Sequence, residues 1–272
     1  MKRLILYCNS KGGTGKSFAA TGHAQLFVRS GIACRLVDTD GEVGHMARMF
    51  GVRDESGKLA KDQGNEGVIR FSLHGRERDR VDMAMLLDDP SEVVIIDMPA
   101  ASFTILSQME TDYGFLSLAH KKGWNVTLVC VATPDPVALS AVTMAAKLDP
   151  LADLVLVRNL AFGDGFLSWY GSVPDEIKPA NGLQTLQARS GHDLAMARLD
   201  PDTVEVIAAK KISFAAAMAP GSPLHSGRKA QVEKWLDALE SEWRKAGDVL
   251  GFSADSSPVA SVAAEELDEV VA

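Results

Sequence analysis

Leu4-Ile5-Leu6-Tyr7-Cys8, then Asn9-Ser10, then Lys11-Gly12-Gly13-Thr14-Gly15-Lys16-Ser17: a short apolar run leads into a glycine-rich turn with a lysine at each end of it. The apolar run suits a strand of a parallel sheet, buried on both faces. Phe18 to Arg29 is compatible with a helix that stops near Ser30-Gly31. Strand, glycine loop and helix in this order form a cradle for a chain of phosphates. Several N–H groups must converge on one anion, and Gly12, Gly13 and Gly15 supply the backbone freedom this needs. Lys16 is then placed to reach the β- and γ-phosphates, the Ser17 hydroxyl to take a position on Mg²⁺, and the helix N-terminus to face the same anion. The generic pattern has glycine where Ser10 stands.

Lys11 to Ser17 resembles the signature loop of the ParA/MinD family of deviant Walker A ATPases, Lys-Gly-Gly-x-Gly-Lys-Ser/Thr, at every position. Further matches run from residue 3 to about residue 245. The resemblance implies two monomers that sandwich two ATP molecules, with Lys11 reaching in trans to the partner's phosphates. It also implies that Lys11, Lys16 and Asp40 serve hydrolysis, and that Phe18 joins the loop residues, Thr14 among them, in holding nucleotide.

Mg²⁺ and an attacking water both call for carboxylates near the terminal phosphate. Ala33-Cys34-Arg35-Leu36-Val37 reads as a second strand with Asp38-Thr39-Asp40 at its C-terminal end, where open α/β sheets bind ligands. The resemblance assigns Asp40 to switch I, placing the water or the metal. The family continues Pro-Gln-Gly-Asn, whereas this chain has Gly41-Glu42-Val43-Gly44. Val93-Val94-Ile95-Ile96-Asp97 is a β-branched strand ending in a carboxylate, a Walker B pattern in which Asp97 holds Mg²⁺ through water. Met98-Pro99-Ala100-Ala101 then resembles the family's Asp-x-Pro-x segment, which implies the beginning of switch II.

Val126 to Val131 reads as a strand, followed by a helix from Val137 to Leu148 capped by Asp135. Leu154 to Val157 is another strand, ended by Arg158-Asn159, and Asp193 to Leu199 a last one. By resemblance Asn159 contacts adenine, and Asp200-Pro201-Asp202 falls where a second base-contacting loop is expected. Alternating strands and helices predict a doubly wound, mostly parallel α/β sheet flanked by helices, and the resemblance implies a P-loop NTPase of the SIMIBI type.

The chain has 272 residues, 46% of them hydrophobic, enough for one large core. No apolar stretch approaches the length of a membrane span, and Met1-Lys2-Arg3 leads straight into a strand, so a cytoplasmic protein is expected. Cys8, Cys34 and Cys130 fall in predicted strands without Cys-x-x-Cys spacing, which predicts buried, reduced thiols. The six histidines show no metal-ligand spacing.

The net charge of −8 is unevenly spread: residues 248–272 hold six of the 36 acids and none of the 28 bases, leaving 30 acids against 28 bases, near −2, on residues 1–247. Residues 1–247 are therefore expected to form one ATPase domain and 248–272 an acidic, disordered tail, with Val262 to Val271 able to form a short helix on a partner. A MinD-type anchor is a basic amphipathic helix. An acidic tail is its opposite, so no membrane anchor is expected and the reading leans to the ParA-like side.

Such ATPases bind DNA without sequence preference, and Arg76, Arg78, Arg80, Lys121-Lys122, Lys210-Lys211 and Arg228-Lys229 are the candidate contacts. An adaptor protein that stimulates a slow ATPase is the other expected partner. Accessory work in conjugative transfer, or a metabolic or metal-delivery enzyme on the same fold, are the alternatives. Trp235, Leu236, Leu239 and Trp243 recur at helical spacing over 226–246 and predict a packed face. Phe162 to Tyr170 is aromatic and glycine-rich, placed as a loop near the nucleotide or the dimer face.

Overall fold

The computed structural model describes residues 1–41, 44–64, 67–75, 77–170 and 181–252. Glu42 and Val43 of the switch segment, Arg76 of the basic set, and the tail from residue 253 onward, including 262–271, lie outside the described residues.

Seven strands form one sheet: β1 (Arg3–Cys8), β2 (Arg35–Asp38), β3 (Val68–Arg70), β4 (Val93–Asp97), β5 (Asn125–Ala132), β6 (Asp153–Asn159) and β7 (His192–Met196). Their order is β3-β2-β4-β1-β5-β6-β7, and every pairing is parallel. The helices are α1 (Lys16–Ser30), α2 (His45–Phe50), α3 (Glu77–Asp82), α4 (Ser102–Tyr113), α5 (Phe115–Lys121), α6 (Pro136–Leu139), α7 (Ala141–Leu148), α8 (Leu167–Tyr170), α9 (Gly182–Ala188), α10 (Pro201–Lys210), α11 (Phe214–Met218) and α12 (Ser226–Trp243). Among the described residues none is long and apolar enough to cross a membrane.

The alternation along β1 builds two cores at once. Leu4, Leu6 and Cys8 face a layer made by α4 to α9, while Ile5 and Tyr7 face α1, α2 and α10 to α12. Burial on both faces is why these strands read as continuous apolar runs. The chain steps outward from β1 to β2 and β3, returns to insert β4 beside β1, and then continues to β5 on the other side. The C-terminal ends of β1, β2 and β4 consequently meet at the reversal of strand order, where ligands bind in open sheets.

Several expectations are adjusted. The helix expected from Val137 to Leu148 is two, because the Ser140 hydroxyl donates to the Val137 carbonyl (2.7 Å) and competes with helix propagation. Cys34 lies one residue before β2 and is half-buried, unlike the fully buried Cys8 and Cys130. Burial raises all three thiols, Cys34 and Cys130 to about 12. The three-residue β3 was too short to show a period in the sequence.

The expected boundary at 247 falls inside the packed body. Two short 3₁₀ turns over Arg244–Leu250, broken at the non-helical Gly247, carry the chain back under the sheet, where Leu250 and Phe252 are buried. Asp248, counted with the acidic tail, lies 3.5 Å from the buried Arg3. Trp235, Leu236, Leu239 and Trp243 are buried as expected, packed with α1 and β7.

Candidate functional site

The loop between β1 and α1 is held from beneath by Asn9, a fully buried residue that the sequence reading passed over. Its Nδ2 donates to Thr14 Oγ1 (2.8 Å) and to the Val131 carbonyl, and its Oδ1 accepts the Ser10 N–H (2.9 Å). The Asn9 carbonyl accepts from Ser102 N (2.9 Å) and the Ser102 hydroxyl accepts from Asn9 N (3.1 Å). One side chain thus ties the loop to β5, and its backbone ties the loop to the start of α4. Ala101, the residue before α4, has φ 56°, a left-handed conformation that costs a non-glycine residue about 1–2 kcal/mol. The Met98–Ala101 segment therefore ends on a strained residue, next to the one fastened to the base of the loop.

Gly15 is where glycine is required. Its φ is +92°, and a Cβ there would fall inside the Asn159 amide. Asn159, expected to read adenine, donates from Nδ2 to the Thr14 carbonyl (2.9 Å), and its Oδ1 accepts the Ala161 N–H (3.1 Å). Its shown role is to pin the loop, although an amide keeps one further donor and acceptor. The Thr14 side chain turns inward to Asn9. The Phe18 ring also turns inward, edge-on to Phe214 at 5.5 Å and tilted by 50° against Trp235 at 5.0 Å, so what Phe18 can offer a phosphate is its backbone.

At the helix N-terminus Lys16 Nζ lies 2.8 Å from Asp97 Oδ1 and donates also to the Met98 carbonyl. The two motif residues expected to share a phosphate and its metal are in contact. Asp97 is 1% exposed, and its second oxygen is buried with no hydrogen-bond partner. Leaving such an oxygen unpaired costs about 1–3 kcal/mol or more, which marks a place prepared for a cation or its water. The donor set fits Mg²⁺, which takes few carboxylates and keeps waters.

The β2–β4 register sets Asp38 directly beside Asp97. Asp38 accepts N–H bonds from Asp40 (3.1 Å) and Ala47 (2.9 Å). Burial, and then the facing Asp97 charge, nonetheless push its carboxyl up to about 6. Asp40 is exposed at the rim; its backbone bonds to Asp38 and it bridges to Ser72. Gly44 accounts for one position of the unusual segment Gly41 to Gly44, because a Cβ there would fall on the Asp38 carboxylate. Lys11 stands outside this cluster, 56% exposed, with Nζ 2.7 Å from Asp135 Oδ2 of its own chain. The Lys11 ammonium and the Val137 N–H hold Asp135 below the usual carboxylate range.

The fold that presents these residues is a seven-stranded, all-parallel α/β sheet flanked by helices. Among solved structures the chain is similar to the septum site-determining protein MinD from Pyrococcus horikoshii complexed with Mg-ADP, at 18% identity and TM-score 0.48, over 92% of this chain and 99% of that one. It is also similar to the MinD cell division protein of Aquifex aeolicus, at 12% identity and TM-score 0.47 over 88% and 97%, and to a plasmid partition protein from Borrelia burgdorferi, at 13% identity and TM-score 0.42 over 90% and 99%. No protein-family model and no curated protein matches the chain.

The basic residues expected to meet DNA are in part already paired. Arg78 lies 3.2 Å from Asp82, Arg228 lies 3.3 Å from Asp202, Lys122 pairs with Asp88, and Lys229 donates to the Ala219 carbonyl (2.7 Å). The Asp200 carboxylate, on the loop expected to touch the base, caps α10 through Thr203 N (2.9 Å).

Proposed function

We propose that the chain is an ATP-dependent dimerising switch ATPase of the ParA-like kind, serving the partition or positioning of DNA or another cargo. The observation that carries this reading is the Lys16–Asp97 contact at the N-terminus of α1, with the second Asp97 oxygen buried and unpaired. Lys16 exchanges the Met98 carbonyl for phosphate oxygens when nucleotide enters. Ser17 and Asp97, with Asp40 from the rim, would hold Mg²⁺, which would supply the positive charge that offsets the charge of the phosphates. Gly12, Gly13 and Gly15 leave the loop N–H groups open to the anion, and Asn159 keeps the loop in shape while its spare donor meets the base. Asp40 orients the attacking water.

Lys11 leaves Asp135 and crosses to the partner's phosphates. An exposed ion pair is worth about 0–1 kcal/mol, so this exchange is cheap. Lys121 and Lys210-Lys211 then join the basic surface of the dimer, which contacts DNA non-specifically, and an adaptor stimulates hydrolysis.

Lys16→Ala should abolish ATP binding in calorimetry. Lys11→Ala should bind ATP within a few-fold of the parent chain yet stay monomeric in sedimentation with ATP. A Lys11→Ala chain that dimerises normally ends the trans assignment, and ATP-loaded parent protein that ignores DNA at low salt ends the DNA assignment.

A further inference from the structure

Three buried side-chain atoms among the described residues have no hydrogen-bond partner: Asp97 Oδ2, Ser10 Oγ and His45 Nε2. Ser10 belongs to the glycine loop and Asp97 ends β4. His45 is the first residue of α2, immediately after Gly44, and belongs to no motif. Buried polar groups are satisfied almost everywhere in folded proteins. That all three exceptions fall on segments converging at the C-terminal ends of β1, β2 and β4 points to a polar ligand rather than to three separate packing faults.

His45 has a particular place in this set. Gly44 abuts the Asp38 carboxylate so closely that position 44 cannot carry a side chain. Asp38 in turn is register-paired with Asp97. The first side chain after the switch segment that can turn toward the centre is therefore that of His45, and its ring lies within the electrostatic reach of both Asp97 and Lys16. Burial lowers its basicity, so the ring is neutral near pH 7 and can present one N–H.

We infer that His45 is a contact residue for the terminal phosphoryl group of a bound nucleoside triphosphate, donating from Nε2 to one of its oxygens. This rests on the nucleotide-binding reading above. The glycine loop wraps the inner phosphates with backbone N–H groups. His45 follows β2 and enters beside the Asp38–Asp97 pair, and the third phosphate of the inferred complex lies on that side. A diphosphate leaves that position empty, so His45 distinguishes the triphosphate form from its product.

The test compares Mg·ATPγS and Mg·ADP binding by calorimetry in the full chain and in the His45→Ala and His45→Gln variants. The ¹⁵N resonance of His45 Nε2 is followed in the unsubstituted chain. His45→Ala should weaken ATPγS by roughly tenfold, the loss expected for one hydrogen bond to a charged group, and leave ADP within about twofold. His45→Gln, which restores a donor, should recover part of the loss. The Nε2 resonance should move with ATPγS and stay with ADP.

Equal losses for both nucleotides, or no loss, overturn the assignment, as does a resonance indifferent to the third phosphate. The unfolding midpoint without nucleotide is measured alongside; if His45→Ala is destabilised, His45→Gln and the resonance decide. A parent chain that binds neither nucleotide overturns the nucleotide-binding reading as well. A parent chain that binds both, beside variants that match it, overturns only the role of His45.

Discussion

Gly12 and Gly15 look interchangeable in the sequence of the loop, and their surroundings make them unlike. A Cβ on Gly12 would meet the Ala100 Cβ at 3.8 Å, an ordinary contact, whereas one on Gly15 would displace the Asn159 amide from a residue already at φ +92°. Gly15→Ala should therefore lower stability by about 2–4 kcal/mol, combining a left-handed alanine with the broken Asn159–Thr14 bond. It should also weaken nucleotide binding more than tenfold. Gly12→Ala should stay within about 1 kcal/mol of the parent chain. Urea titrations of the two variants check this, and equal losses would refute the role given to Asn159.

A polar relay inside the apolar layer joins β1, α1, α12 and the C-terminal turn. Trp243 Nε1 donates to the Tyr7 hydroxyl (3.1 Å), Tyr7 lies 3.0 Å from His23 Nδ1, and His23 Nε2 lies 3.0 Å from the Leu250 carbonyl. A carbonyl can only accept, so Nε2 carries the proton, Nδ1 accepts from Tyr7, and the ring is neutral. Burial lowers His23 from 6.5 to about 3.

The unfolded chain then binds a proton that the folded chain refuses, so the His23 contribution to stability is complete above about pH 6.5 and is lost as pH falls toward 3. Asp38 acts with the opposite sign. Its carboxyl is raised from 3.8 to about 6, so its contribution is full below 3.8 and lost as pH rises through 6. The His23 effect must therefore be read as a difference. Stability curves of the parent chain and His23→Gln between pH 4 and 7 should converge toward low pH, and parallel curves would contradict a neutral buried ring.

Across the whole molecule, the residues after 247 complete the core that holds α1 in place. Phe252 is buried, its ring 5.5 Å from that of His23 and 5.1 Å from that of Phe27. Both partners lie on the helix that begins at Lys16. A chain ended after Gly247 loses Leu250 and Phe252, two buried side chains. Losing Phe252 alone is worth about 3–5 kcal/mol. Against a chain ended after Phe252, its melting point should drop by roughly 6–20 °C at about 2–4 °C per kcal/mol. Equal melting points would show that these residues belong with the tail, as their acidity suggested.

The sequence by itself determined the strand, loop and helix around Lys11 to Ser17, the carboxylates closing β2 and β4, and the parallel sheet. Glycine conformations, β-branched runs and helix caps act within a few residues of one another and so are written locally. Only the tertiary structure decided that Asn9 and Asn159 brace the loop, that Asp38 rather than Asp40 sits beside Asp97, and that His45 keeps a buried, unpaired Nε2 within electrostatic reach of Asp97. Lys16 meets Asp97 across 81 residues and Asn159 meets Thr14 across 145. Such contacts depend on the order in which strands enter the sheet and on what space remains between them, and no local pattern carries that information.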